Sequence, residues 1–550
     1  MSTDLKLNII LLLYLIFVFK FKNLKAFTFF NKYQSLLFCH KSLVGFVSLF
    51  SIFHFANALV GIKWDEHYIA LGGYYISTGL IPHVDFYIPN GAPIYYLQSL
   101  GNYLFSDLGL AYAFSAYLIS TSAYVYCILK LKKHFGFNFI ELTYLSFVFL
   151  ICCSFWGGAL WYNQLAFLCC SIAILTQLQN TLLQKELRLI NLLTVSVLFT
   201  LAILTKPDIA LIFLTFLILF QHFSKHSNKV ILYILVLISL KLLIYYLYYQ
   251  TVHGINVLSM MNFAQKGFET RIHFDLESLQ KIIYNIFISF DNIGVRVICF
   301  SHIFLFFLNT NKKDTNFNIL FTSQIFFLIS SSIISVSSGR GAGFINGHLT
   351  FISAVFFLAA LKQSSLKTST FIIPVIITPL LLIFCLHFRS AFIPKFKLVK
   401  HANMIYYSSE RSLEFFNKVE ELIQLSSQKV SLYSPITYFS MNDKISELRP
   451  SPFLWDHLGT TIKQTYSEKH YNYFAAHLPD IFITNSFKSY PVNYSNLNSF
   501  GLHKASIEDL LATKYRLTHS GNIDLIGSGG GLKTHQAQIY VLKYKTPLKK

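Results

Sequence analysis

Long apolar runs separated by short basic tracts make up most of the chain. Runs near 42–60, 104–129, 138–155, 158–178, 189–205, 208–222, 229–249, 293–309, 317–336, 347–361 and 368–388 are each read as a membrane-spanning helix. Stretches of this length approach what a helix needs to cross the hydrocarbon core of a bilayer. Residues 7–19 (LNIILLLYLIFVF) form a shorter run that ends at Lys20, Lys22 and Lys25. No small-residue cleavage site follows it, so it is read as a marginal or interfacial helix on the cytoplasmic side rather than a removed signal peptide.

Beyond residue 389 the pattern changes to polar, mixed-charge sequence rich in Asn, Ser and His. Ser408 is placed to cap a helix through about 427, with Leu413, Phe416, Val419 and Ile423 on one apolar face. Segments 429–435, 480–486 and 537–545 read as strands, and "GSGGG" (527–531) as a turn before the last of them. The predicted architecture is an α-helical polytopic membrane protein of about 11–12 spans with a C-terminal extracytoplasmic α/β domain. Its parts are an N-terminal segment 1–41, a transmembrane domain 42–388 and the α/β domain 389–550.

Composition agrees with this reading. Of 550 residues 54% are hydrophobic and 13% charged, against roughly 25% charged in soluble domains. The net charge of +20 does not indicate nucleic acid, because its lysines sit in short tracts between apolar runs. The tracts "KLKKH" (130–134), "QKELR" (184–188), "SKHSNK" (224–229), "NKKD" (311–314) and "KQSSLK" (362–367) belong on the cytoplasmic side by the positive-inside rule. Strict alternation from residue 42 places all five on one side. It puts the 61–103 loop, 154–164, "TKPD" (205–208), the 250–292 loop, 337–348 and the C-terminal region on the other. The eight cysteines lie in apolar stretches without metal-ligand spacing and are read as packing residues.

Candidate chemistry gathers on the outer face. Asp65 and Glu66 follow the first main span directly, and Asp85 stands in "YYISTGLIPHVDFYIPNGAPIYYL", an aromatic stretch punctuated by Gly and Pro. A carboxylate near the bilayer surface has a raised proton affinity and suits general-base work. Lys206 and Arg340 stand at outer ends of spans, where they could meet a phosphate. His348, Asn163 and Gln164 face the same side and are candidates for hydrogen bonds to a ligand. Arg271, Glu269 and Asp275, in the 250–292 loop, are read as solvated charges on surface helices.

Asp65-Glu66 after a span, followed by "GLIPHVDFYIPNGAPIYYL", resembles the first periplasmic loop of bacterial GT-C superfamily glycosyltransferases, the polytopic enzymes related to protein O-mannosyltransferases and aminoarabinose transferases. The resemblance implies an inverting glycosyltransferase in the bacterial inner membrane with a periplasmic C-terminal domain. Its donor would be a polyprenyl-phosphate-linked sugar, and its acceptor a hydroxyl of a glycan, lipid or protein. Asp65 or Glu66 would be the base, with Asp85 orienting the acceptor. Lys206 and Arg340 would meet the departing phosphate, and His348 and Asn163 would contact substrate. No cofactor is implied with certainty. A divalent metal is possible for such enzymes but is not predicted here, because no second acidic pair falls in a fitting outer loop.

Other readings are an O-antigen polymerase or ligase, a lipid or sugar transporter, and a non-catalytic scaffold. A transporter should carry ionisable residues within its spans, and the apolar runs look nearly free of them.

Overall fold

The computed structural model describes residues 64–86, 88, 91–154, 162–182, 189–223, 228–257, 276–287, 293–308, 315–338, 347–363, 396–401, 404–426, 429–433, 445–447, 476, 478–485, 509–526 and 532–543. The expected runs 7–19, 42–60 and 368–388 lie outside them. The protein is mostly helical with a small mixed sheet near its C-terminus. The chain divides into two compact units: one of 1–57, 117–245 and 271–392, the other of 58–116, 246–270 and 393–550.

The first unit is a helical bundle. It contains most of α3 (Leu108–Phe135), then α4 (Phe139–Ser154), α5 (Tyr162–Leu182), α6 (Leu189–Thr205), α7 (Pro207–Phe223) and most of α8 (Asn228–His253). Helices α9 (Leu276–Phe287), α10 (Ile293–Leu308), α11 (Thr315–Ser338) and α12 (Gly347–Gln363) complete it. Nine expected spans coincide with these helices to within a few residues, because run length and flanking polar residues are local signals. Helix α12 packs against α4, α5, α10 and α11. From Leu349 to Leu361 every residue of α12 is buried, and its apolar circumference requires that central place. Phe216 of α7 and Phe327 of α11 meet beside Phe356 of α12, with ring centroids 4.8 to 6.0 Å apart.

Among the described residues two helices, Gly109–Lys133 within α3 and Lys229–His253 within α8, are long and apolar enough to cross a membrane by length and composition. Along α8, Leu232, Tyr233, Val236, Leu240, Leu243, Ile244, Leu247 and Val252 are all exposed. Helix α9 is amphipathic: its apolar Leu276, Leu279 and Ile283 are exposed, and Glu277 and Lys281 pair at 2.6 Å. Cys127, Cys169, Cys170 and Cys299 are buried free thiols, as expected of packing residues.

The second unit contains α1 (Trp64–Ser77), α2 (Pro93–Asn102), the start of α3 and the end of α8, together with the C-terminal elements. Strands β1 (Phe396–His401) and β2 (Met404–Ser409) pair antiparallel, and neither was expected. Helix α13 (Glu410–Leu425) is capped by Ser409, whose hydroxyl accepts from the Ser412 amide, one residue later than expected. Then follow β3 (Val430–Tyr433), β4 (Ile445–Glu447), β5 (Ile481–Asn485), β6 (Tyr515–Ile526) and β7 (Leu532–Leu542) in the order β4-β3-β5-β7-β6. Strands β3, β4 and β5 are parallel, and β7 runs antiparallel to both β5 and β6.

Strand β6 escapes sequence reading because Ser520-Gly521-Asn522 looks like a turn. Gly521 instead makes room for α13: a Cβ there would lie 3.0 Å from Phe415 Cδ2. Antiparallel pairing of Ile526 with Leu532 brackets the 527–531 segment that was read as a turn. Tyr515 donates to the Pro479 carbonyl at 2.8 Å, and burial together with the Asp480 carboxylate pushes its phenol up.

Candidate functional site

The expected outer loop 61–103 is largely helical. Asp65 and Glu66 lie on α1, and their side chains fall outside the described residues. Further along, Ile69 to Gly73 are buried, and α1 packs on α2. Gly73 permits that approach, since a Cβ there would stand 2.5 Å from Gln98 Cγ. Gly101 closes α2 on the next helix: a Cβ would fall 2.0 Å from the Ala111 carbonyl oxygen. Ser115 ties the same junction, accepting from the Gly101 amide and donating to the Gln98 carbonyl.

Between α1 and α2 the chain folds into a tight loop. Asp85 Oδ2 accepts from the Ile81 amide at 2.7 Å, and the Asp85 amide donates to the Ile81 carbonyl at 2.9 Å. The His83 amide donates to the Phe86 carbonyl at 2.9 Å. Asp85 is exposed, so one carboxylate oxygen clamps the loop while the side chain faces solvent.

His83, inside that clamp, is the unusual residue. Its φ is +66°, in the left-handed region that costs a non-glycine residue about 1–3 kcal/mol where surroundings hold it. The residue is 6% exposed. Neither ring nitrogen has a hydrogen-bond partner among the described residues, a deficit of about 1–3 kcal/mol per buried group. Burial lowers its pKa to about 4, so at neutral pH the imidazole is uncharged, with one donor and one acceptor nitrogen.

Tyr249, near the end of α8, meets His83 edge to face with ring centroids 5.5 Å apart. Tyr248 and His253 pack against Tyr249 at 5.3 and 5.9 Å. Tyr96 of α2 shares a hydrogen bond with Tyr249, which opposes the rise in its own pKa caused by burial. The side-chain amides of Gln98 and Asn102, also on α2, find no partner among the described residues. Unmet hydrogen-bonding capacity therefore recurs along one short stretch of chain.

The other expected site residues stand as follows. Lys206 occupies the turn between α6 and α7, with its ammonium 3.3 Å from the Asp208 carboxylate. Asn163 and His348 lie near the starts of α5 and α12, with side chains outside the described residues, and Gln164 is buried. Arg340, with Glu269, Arg271 and Asp275, lies outside the described residues altogether. Of the expected carboxylates and cations, Asp85 and Lys206 are the two whose side chains fall among the described residues. Among the described residues no group of three or more His, Cys, Asp or Glu could hold a metal ion.

Three residues were not singled out from sequence. His83 stood in plain view in "LIPHVDF", but strain and unmet nitrogens leave no trace in sequence. Lys241, midway along α8, donates to Ser196 Oγ at 2.8 Å; a lone lysine in a long apolar run was the available signal. Arg296 of α10 is 1% exposed and donates to the Asn285 carbonyl of α9 at 3.4 Å.

No family model matches the chain, and no curated protein matches it.

Proposed function

We propose that the protein is an integral membrane glycosyltransferase that moves a sugar from a polyprenyl-phosphate donor to a hydroxyl acceptor at the outer face of a bacterial inner membrane. The acceptor oxygen attacks the anomeric carbon and the bond from that carbon to the phosphate oxygen breaks. The electron pair leaves with polyprenyl phosphate, and Asp65 or Glu66 takes the acceptor proton. Anomeric configuration inverts. Arg340 would meet the departing phosphate; Lys206 would first have to part from Asp208. Asp85 would act through the loop it closes, with His348 and Asn163 as further substrate contacts.

The observation that carries this reading is the make-up of the second unit. It gathers residues 58–116, 246–270 and 393–550, the main outer segments by charge alternation, and the acid pair belongs to it. The exposed apolar band of α8 supports a bilayer environment, because monomeric soluble proteins rarely expose so continuous a patch. Helix α9, apolar on an exposed face, has the character of a helix lying in the membrane interface.

The test is sugar transfer by the purified full-length protein in lipid nanodiscs, supplied with a panel of polyprenyl-phosphate hexoses and pentoses. Wild-type turnover with a loss of about 100-fold in Asp65→Asn or Glu66→Gln is expected. No turnover of any donor, or equal turnover by both variants, overturns the proposal.

A transporter is the second reading, and Lys241 favours it. An ionisable side chain midway along a membrane-length helix is costly and typically functional. Uptake of the same donors into sealed vesicles, lost in Lys241→Met but retained in Asp65→Asn, would decide for transport.

A further inference from the structure

We propose that His83 is a ligand-contacting residue, and that the imidazole and the tyrosines around Tyr249 hold the hydroxylated ring of a sugar. This rests on, and deepens, the transferase reading. Three independent features meet at this one side chain. The backbone is held at φ +66° by the Asp85 clamp and the His83–Phe86 hydrogen bond. The residue is 6% exposed. Both nitrogens lack a partner among the described residues. A buried polar group left unmet in a strained loop fits poorly with a purely structural role, since a glycine would hold the turn without strain and without orphaned atoms.

The chemistry of the surroundings narrows the ligand. The neutral imidazole offers one donor and one acceptor, a match for adjacent hydroxyls that can both accept and donate. Tyr249 is itself buried and backs the imidazole, while Tyr96 and Tyr248 beside it are exposed and supply the aromatic surface. Aromatic faces with a few fixed polar atoms suit a sugar ring, which has apolar C–H faces and a polar edge. Among the described residues this cluster contains no Lys or Arg to meet a phosphate, so the sugar ring is the expected occupant. Val84 and Asp85, the next two residues, are exposed, so the imidazole lies just beneath the surface.

The experiment uses the full-length protein in nanodiscs and saturation-transfer NMR. The probes are the methyl glycosides of glucose, galactose and mannose, and polyprenyl-phosphate hexoses. His83→Gly and His83→Asn both tolerate a positive φ, so both keep the turn, and thermal unfolding checks this. Binding of at least one probe by the wild type is expected, weakened tenfold or more in His83→Gly and partly restored in His83→Asn, whose amide keeps a donor and an acceptor. Binding by His83→Gly within twofold of wild type, or no probe bound by wild type, overturns the proposal; an ordered water is then all that the nitrogens hold. Dependence of binding on His83 without any turnover would sink the transferase reading alone. Turnover that needs Asp65 but is indifferent to His83 would sink this one alone.

Discussion

Lys362 Nζ stands 3.3 Å from Glu141 Oε2 and joins three helix ends. The same ammonium donates to the carbonyls of Phe135 and Gly136 at 3.1 and 2.6 Å and lies 4.8 Å from the Phe137 ring centre. Asn138 and Glu141 cap α4 reciprocally, each side chain accepting from the other's amide. Gly136 at φ +59° turns the chain out of α3. The end of α12 thus meets the α3–α4 turn through Lys362.

Lys362→Met would leave a carboxylate that is 1% exposed without its cation, together with two helix-end carbonyls. Because the lysine itself is 30% exposed, water softens the loss. The expected cost is about 2 kcal/mol, read as a lower unfolding midpoint in detergent. Glu141→Gln keeps a capping oxygen and should cost less. An unchanged midpoint in both would deny the pair a structural role.

Stability should depend on pH through His83. Its folded pKa of about 4 is below the ordinary value near 6.5, so between these values the unfolded chain binds the extra proton. Stability is therefore full above about pH 6.5, is lost as pH falls toward 4, and changes no further below that on this account. The order of magnitude is about 3 kcal/mol. Hydrogen exchange at the amides of Ile81 and of His83 to Phe86 should accelerate on acidification through that window. His83→Asn should flatten the dependence; an identical profile in the variant would refute this assignment.

Two glycines should lose different amounts of stability on substitution by alanine. Gly101→Ala drives a Cβ to 2.0 Å from the Ala111 carbonyl, backbone against backbone, and should cost about 3 kcal/mol or more. Gly79 has φ +92° with nothing within 4 Å of a new Cβ, so Gly79→Ala meets only backbone strain, about 1 kcal/mol. Thermal unfolding of both variants tests the order, and a reversed ranking would count against the α2–α3 contact.

Leu240 is half exposed midway along α8. If bilayer covers that band, Leu240→Cys in intact membranes should resist a charged, membrane-impermeant maleimide and react once the protein is denatured. Prompt labelling of Leu240→Cys in intact membranes would show that water reaches the helix.

The helices of the bundle were legible because the length of an apolar run is a property of neighbours in sequence. Other contacts join segments far apart in sequence, Lys362 with the α3–α4 turn and Tyr249 with His83. The limits of local reading appear at β6, where Gly521 is a packing device and not a turn, and at Ser408, where the cap falls one residue later.

The candidate site was legible only as a neighbourhood. Its acids and its loop could be picked out because residue types and their order beside a span are written in the chain. Which side chains are satisfied was decided by folding: Asp85 closes its own loop, Lys206 pairs with Asp208, Lys241 reaches Ser196, and the His83 ring nitrogens meet no partner among the described residues. Partnership depends on atoms brought together from distant parts of the chain, and no periodicity or spacing encodes it.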